Sequence, residues 1–370
     1  MRILHVVDRL SRRGGADQHL RDIASAQRLT HRVTLAYGSQ HCREPAGVTA
    51  VKVRGLAGKV ASHAGLAALA PLLADADVVH VHNVMNPIAL QMACATGVAV
   101  VTVQDHRVFC PGPGKTLPDG ARCTLGMSLS VCAGCFEDDA YADRTLKLTR
   151  ERLDALREAA EVLVLSEYMR SELAVLGVEA TVLPPWVEAA PDLEPDEPRE
   201  GYVFGGRLVR HKAPHEAVEA HSLSRTSQPL RVAGAGPLGG QLAGEGLGWL
   251  PRDELHAVLR GCRALLFPAR WQEPFGILGL EALALGTPVI AWDRGGISEW
   301  ARAGCVLVDG PQQAAEAIAR LDGNSELRFQ LGTDGQLLAR EEYGRASLLA
   351  RLEDAYSVLR CPKLEMEDPS

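Results

Sequence analysis

Arg270-Trp-Gln-Glu-Pro-Phe-Gly-Ile-Leu-Gly-Leu-Glu281 sets two carboxylates, Glu273 and Glu281, around a Pro-Phe-Gly turn. Pro274 and Gly276 disfavour helix at the first acid. Residues 277–285 read as a short buried helix, stopped by Gly286 and Pro288. Residues 264–267 before it and 288–292 after it read as strands. Glu273 therefore belongs to a loop at a strand's carboxyl end, and Glu281 to the helix behind it. That helix aims free N–H groups and the positive end of its dipole into the gap. Carboxylates accept from hydroxyls and a helix start accepts an anion, so the stretch suits a ligand carrying both hydroxyls and phosphate.

The same alternation extends outward. Residues 3–7, 32–36, 78–81, 98–103 and 162–165 read as strands, with helices over 19–27, 64–74 and 86–95. Residues 183–198 hold five prolines and an acidic cluster, a stiff linker. Strands resume at 202–205, 230–233, 248–250, 264–267, 288–292 and 306–308. Two successive α/β series predict two Rossmann-like domains facing a central cleft, with ligands at the strands' carboxyl ends. The expected boundaries are 1–185, with a cysteine-rich insertion over 107–140, then 186–345. A helix over 346–359 leads into a polar, frayed tail and is expected to pack back on the first domain.

Composition narrows the function classes. The 370 residues carry a formal net charge of -7 and only 5% aromatics. That argues against nucleic acid as a partner. No stretch is long and apolar enough to span a bilayer, and the first residues lack a signal-peptide cleavage pattern. Nine cysteines, an odd count, suit a reducing compartment. A cytoplasmic enzyme is the expectation, its oligomeric state open.

Three further elements belong with the opening stretch. Phe204-Gly-Gly-Arg-Leu-Val-Arg-His-Lys212 ends a strand in glycines and follows it with cations, which can neutralise a diphosphate. Gly234, Gly236 and Gly239 form Gly-x-Gly-x-x-Gly after a strand. That is either a dinucleotide fingerprint or a tight turn, and the turn reading is favoured because Pro237 follows where a helix should open. Asp293-Arg-Gly-Gly-Ile-Ser-Glu299 is expected to present further free amides to the same crevice.

Gly-Gly-Arg-Leu…Lys, Gly-x-Gly-Pro, Glu-Pro-Phe-Gly-x4-Glu and Gly-Thr-Pro-Val-Ile-Ala…Gly-Gly-Ile-x-Glu occur in that order. The chain thereby resembles glycosyltransferase family 4, of the GT-B fold. The resemblance implies a retaining transfer from a nucleotide-diphosphate sugar by a front-side route, with no cofactor required. It implies that Arg207 and Lys212 hold the diphosphate and that Glu273 binds sugar hydroxyls. Backbone amides near Phe275, Gly276 and Ile277, with the loops at Gly206, Gly234 and Gly236, belong to the donor site. Glu281 would bind the ribose, and Gly14 and Gly15 would lie under the diphosphate. Relatives often read Thr-Val-His-Asp after the fifth strand; here Thr102-Val-Gln-Asp-His106 puts Gln104 at the His position. Gln104 is expected to hydrogen-bond the donor sugar, and Asp105, His106, His82 and Asn83 are acceptor-side candidates.

Cys110, Cys123, Cys132 and Cys135 form C-x12-C-x8-C-x2-C, a set that suits tetrahedral zinc. Free thiols, disulfides or an Fe–S cluster are the alternatives. The competing functions are an NAD(P)-dependent oxidoreductase, resting on the glycine fingerprint, and a non-catalytic nucleotide-sugar binder. The acceptor is not readable.

Overall fold

The computed structural model describes residues 1–188, 190–194 and 198–359. In the first unit β1 (Arg2–Leu10), α1 (Gly15–Gln27), β2 (Arg32–Gln40) and β3 (Thr49–Lys52) are followed by α2 (Leu69–Ala74), β4 (Val78–His82), α3 (Pro87–Cys94) and β5 (Ala99–Val103). The insertion then carries α4 (Leu129–Cys132), and α5 (Asp139–Arg157), β6 (Glu161–Val164), α6 (Glu167–Ala174) and β7 (Thr181–Val182) complete the unit. The second unit opens with β8 (Tyr202–Gly205), α7 (Pro214–Ser224), β9 (Leu230–Ala233), β10 (Glu245–Gly248), α8 (Arg252–Arg260) and β11 (Ala264–Phe267). It continues through α9 (Ile277–Ala284), β12 (Val289–Trp292), α10 (Ile297–Trp300), β13 (Cys305–Val308), α11 (Pro311–Asp322), α12 (Ser325–Glu342) and α13 (Arg345–Val358).

The first sheet runs β3-β2-β1-β4-β5-β6-β7 and the second β10-β9-β8-β11-β12-β13, every pairing parallel. Helices cover both faces, so the inner strands β4, β5, β8, β11 and β12 are buried along their whole length. Strand order reverses beside β1 in one sheet and beside β8 in the other. The chains leaving β1 and β4, or β8 and β11, therefore part to opposite faces and leave a crevice at their carboxyl ends. The loops at Gly14, Asn83, Arg207 and Glu273 all lie at these two points.

Several local expectations shift. β1 and β2 run on to Leu10 and Gln40, and β3 and β7 are additional edge strands. The helix expected over 64–74 is confined to Leu69–Ala74, and the strand expected over 248–250 is Glu245–Gly248. The largest surprise is α5, which begins at the insertion's end and spans 19 residues. Its polar surface hides the apolar face built by Ala142, Leu146, Leu153 and Leu156.

One apolar cluster runs through both units, joining Ile3, Val78, Leu163 and Trp186 to Leu265, Phe275, Leu280 and Trp300. The linker is tied in at Val187, whose N–H donates to the Tyr343 carbonyl at 2.9 Å. Helix α13 lies against the first sheet. Tyr356 Oη is 2.6 Å from His80 Nδ1, Glu353 takes His31 at 2.7 Å and Gln27 at 3.1 Å, and Arg351 reaches the Val182 carbonyl at 2.6 Å. Residues 360–370, with Cys361 and the polar tail, lie outside the described residues. Among the described residues no helix is long and apolar enough to cross a membrane.

Candidate functional site

The second unit supplies one wall. Glu273 is almost fully buried, its side chain 4% exposed, and it ion-pairs with Lys212 Nζ. The ammonium also stands 5.0 Å from the Trp271 ring centroid and 5.8 Å from that of Phe267. A buried carboxylate requires such a partner, and the two rings keep the pair partly dry. Ala213, directly after Lys212, is buried in the left-handed conformation at φ 47°. A non-glycine residue held there is strained, as sites that fix a neighbouring group often are. Arg207 is exposed, and its Nη2 lies 3.2 Å from His211 Nε2. Burial and the nearby Lys212 and Arg207 charges push His211 down to about 4, so it is neutral at pH 7 and leaves Arg207 as the local charge.

Helix α9 starts at Gly276, φ 92°, as the sequence predicts. Its first amides, Gly276, Ile277 and Leu278, have no protein acceptor among the described residues. The amides of Gly295 and Gly296 behave differently from the expectation. They donate to Gln272 Oε1 at 3.1 Å and to the Glu273 carbonyl at 2.8 Å, and α10 is a single turn of four residues. These amides hold the Glu273 loop in place and are not free for a ligand. Gly295 has φ +62°, and a Cβ there would stand 2.3 Å from the Glu273 carbonyl, so glycine is required.

Glu281 is paired on both oxygens, with Arg252 at 2.6 Å and His256 at 3.7 Å. Burial alone would raise its pKa; the neighbouring His256 ring and Arg252 guanidinium hold it below the usual carboxylate range. Arg252 also takes Asp22 of α1 at 2.8 Å, so one guanidinium spans both units. Nothing in the local pattern marks Arg252, because its partners lie at distant positions in the chain.

Gly234 and Gly236 pack beneath the loop after β8. A Cβ on Gly234 would meet the Gly206 carbonyl oxygen at 1.9 Å. Gly239 opens only a three-residue turn, and β10 follows. The strand–glycine–helix geometry of a dinucleotide fingerprint is absent here. A cavity of about 300 Å³ lies beside this turn, lined by Leu208, Gly234, Gly236 and Gly248 among others.

The first unit supplies the facing wall. Gly14 and Gly15 are exposed, and a Cβ on Gly15 would approach Ile277 Cδ1 at 2.9 Å, so the glycine loop meets the start of α9 across the cleft. Gln104 is buried. Its Oε1 accepts from Asn83 at 2.6 Å, and its Nε2 donates to the Ala16 carbonyl at 3.3 Å. It therefore couples the start of α1 to the loop after β4. Asn83 has φ 47°, a second strained position on the cleft. Asp105 caps the following turn and pairs with Arg107 at 2.7 Å. His106 is buried, with Nε2 3.0 Å from Tyr168 Oη and its ring 5.7 Å from that of Trp271. Burial drives it down to about 4, leaving it neutral despite nearby carboxylates.

His82 does not face the cleft. It is fully buried in a histidine cluster, 3.1 Å from His5 Nδ1 and with its ring centroid 3.9 Å from that of His80, tilted by 36°. Ring nitrogens of these three lie within 4.8 Å of one another. Both nitrogens of His80 are already engaged, by Tyr356 and Thr102, each at 2.6 Å. Burial depresses all three, so they form a neutral hydrogen-bonded core under α13.

Asp8 was not singled out in the sequence, although its charge ends an apolar strand at the crevice. Burial pushes its carboxyl up to about 6, against the pull of Arg107 and Arg9. No described residue donates a hydrogen bond to this carboxylate. A raised carboxyl favours the folded state less as pH rises from its unfolded value near 4 through 6. Asp8→Asn is therefore expected to stabilise the chain by about 1–2 kcal/mol at pH 7.5, after discounting for partial exposure, and by almost nothing at pH 4. Urea unfolding at the two pH values measures this, and an equal effect at both contradicts it.

Known structures superpose on the chain over nearly its whole length. Anabaena HepE, solved in complex with UDP, superposes with a TM-score of 0.68 at 16% identity, covering 97% of this chain and 100% of that one. WaaG, a glycosyltransferase involved in lipopolysaccharide biosynthesis, superposes with a TM-score of 0.67 at 17% identity, covering 97% and 99%. The fold is GT-B. Residues 188–337, which run through most of the second unit, match the family profile described as Glycosyl transferases group 1. A D-inositol 3-phosphate glycosyltransferase of Pseudarthrobacter chlorophenolicus is 30% identical over 219 residues, 52% of each chain. A glycogen synthase of Mycobacterium tuberculosis is 30% identical over 166 residues, 39% of this chain and 40% of that one. The GT-B chain thus spans about half or less of the length of these curated relatives.

Proposed function

We propose that this chain is a retaining glycosyltransferase that moves a sugar from a nucleotide-diphosphate sugar to an acceptor held on the first unit. One observation carries the reading. Lys212 pairs with Glu273 in the loop that leads into α9, the first amides of α9 are unengaged, and Gly15 meets Ile277 at that helix start from across the cleft, with Arg207 exposed on the loop that carries Lys212. Two cations and a helix start facing a glycine loop fit a diphosphate. Glu273, fixed by Lys212 and by the Gly296 amide on its carbonyl, would accept from sugar hydroxyls. Glu281 would exchange a contact with Arg252 for the ribose hydroxyls. Gln104, with both amide atoms engaged by Asn83 and the Ala16 carbonyl, would orient the start of α1, and a contact with the donor sugar would require it to give up one of these bonds.

In this mechanism the bond from the anomeric carbon to the diphosphate breaks as the acceptor oxygen bonds to the same face. The acceptor proton passes to the departing phosphate oxygen. Arg207 and Lys212 stabilise the charge that develops there, a contribution of about 3–4 kcal/mol for a well-placed donor. Glu273 and Glu281 bind and orient rather than exchange protons. The glycosyltransferase names among the relatives support this reading. An oxidoreductase is not favoured, because the glycine fingerprint opens no helix.

Incubation with UDP-, GDP- and ADP-sugars tests the proposal. Release of a nucleoside diphosphate that depends on Arg207 is the expected result. Saturable nucleotide binding without turnover for any acceptor class would favour a binding protein instead.

A further inference from the structure

The insertion carries the four cysteines into one small volume. Cys110 follows the turn at His106, and the Lys115 amide donates to its sulfur at 3.3 Å. Gly114 and Lys115 both take the left-handed conformation, at φ 67° and 55°, to bring that amide round. Thr116 then pairs with Arg122 in an antiparallel bridge, and the Cys123 amide donates to the Lys115 carbonyl at 2.8 Å, which returns Cys123 to the same turn. Cys132 ends α4 and Cys135 ends the turn after it. Gly112 separates two of the sulfurs: its Cβ position lies 3.3 Å from Cys135 Sγ and 3.9 Å from Cys110 Sγ. All four are free thiols. Cys110 and Cys135 are raised, first by burial and then by neighbouring thiols of the same set.

We propose that Cys110, Cys123, Cys132 and Cys135 bind one structural zinc ion, which fixes the insertion against the loop carrying Glu273. Four sulfur donors with amides directed at one of them fit a closed tetrahedral site with Zn–S bonds of about 2.3 Å. No three of the sulfurs stand within 4.8 Å of one another here, so binding draws them together. The glycines at 112, 114 and 134 give the chain room to do so. Each thiol gives up its proton as its sulfur bonds to the metal. Glu172 of α6 anchors the hairpin through Arg122 at 2.6 Å and Lys115 at 3.3 Å.

The consequence reaches the cleft. The buried Gln272 amide donates to Thr116 Oγ1 at 3.1 Å. Gly114 lies against Trp271 and His106; a Cβ there would be 2.8 Å and 3.0 Å from them. The cysteine-bound loop therefore touches both residues that precede Glu273. Zinc supports that wall without entering the cleft.

Metal content is the test, and it does not depend on the glycosyl-transfer reading. Protein purified without chelator and dialysed after zinc loading is expected to hold about one zinc per chain, released as four thiols are titrated with a mercurial. Cys123→Ser and Cys135→Ser are each expected to lower retained zinc at least about tenfold, whereas Cys135→His is expected to keep it. The loss is expected to speed proteolytic cleavage between 110 and 135. Zinc far below stoichiometric in the loaded wild type, or zinc unchanged by the serine variants, overturns the proposal. So does protein isolated with these cysteines in disulfides that still holds no zinc once it has been reduced and loaded.

Discussion

Removal of the Arg207 or Lys212 charge is expected to reduce turnover about 10²–10³-fold, the cost of losing one preorganised donor aimed at developing charge. The two positions differ in what else they do. Arg207 is exposed and its hydrogen-bond partner is the neutral His211, so Arg207→Ala is expected to fold like the parent. Lys212 neutralises Glu273, whose side chain is only 4% exposed. Lys212→Ala leaves that charge buried and unpaired, at a cost of about 3–5 kcal/mol. Lost activity in that variant would confuse stability with chemistry. The pair Lys212→Met with Glu273→Gln removes both charges, and it is expected to recover the unfolding midpoint without recovering turnover. Arg207→Ala within about twofold of the parent, measured as kcat at saturating donor, would show that the diphosphate is held elsewhere.

Gly15→Val is expected to lower kcat/KM about 10²-fold or more while the chain stays folded. The position is exposed and lies outside the left-handed region, so valine costs little at the backbone. Its Cβ, however, would enter at 2.9 Å from Ile277 Cδ1 and 3.1 Å from Ile277 Cβ. The branched methyl groups would press the glycine loop away from the start of α9. A displacement near 1 Å between reacting groups is enough for a loss of that size. Thermal unfolding is expected to stay within about 2 °C of the parent, which separates this variant from one that misfolds. Activity within about threefold of the parent would mean that the two walls need not approach at this point.

How much of this was readable in advance depends on the range of the interaction. The β8, β9 and β11 strands and helix α9 follow from local apolar runs bounded by glycine and proline, and their limits agree to within a residue. The loop position of Glu273 followed from Pro274 and Gly276 for the same reason. Edge strands β3 and β7 carried too little apolar pattern to detect. Helix α5 was missed because a cysteine-rich, polar insertion leads into it. The site was legible where its residues are adjacent in sequence, as in 204–212 and 270–281. It was not legible where a pair closes over a long separation: Lys212 with Glu273, Arg252 with Asp22, Gln104 with the Ala16 carbonyl. His82 ends a strand at the crevice, but the strand's alternation turns its ring inward onto His5 and His80. Gly295 and Gly296 looked like open amides because nothing local shows that Gln272 and Glu273 take them.

The glycine-bounded loop from Arg270 to Glu281 thus acts through partners on three other segments. Lys212 fixes its first acid, Arg252 and His256 its second, and Thr116 the backbone between Trp271 and Glu273. Donor binding is the property that the proposed function assigns to these contacts.

Calorimetric titration of the chain with UDP, GDP and ADP tests that property most directly. At least one nucleoside diphosphate is expected to bind at one site per chain, tighter than about 1 mM, and Arg207→Ala is expected to weaken it about tenfold or more. No binding by any of the three at that concentration, or binding that Arg207→Ala leaves unchanged, would contradict the account.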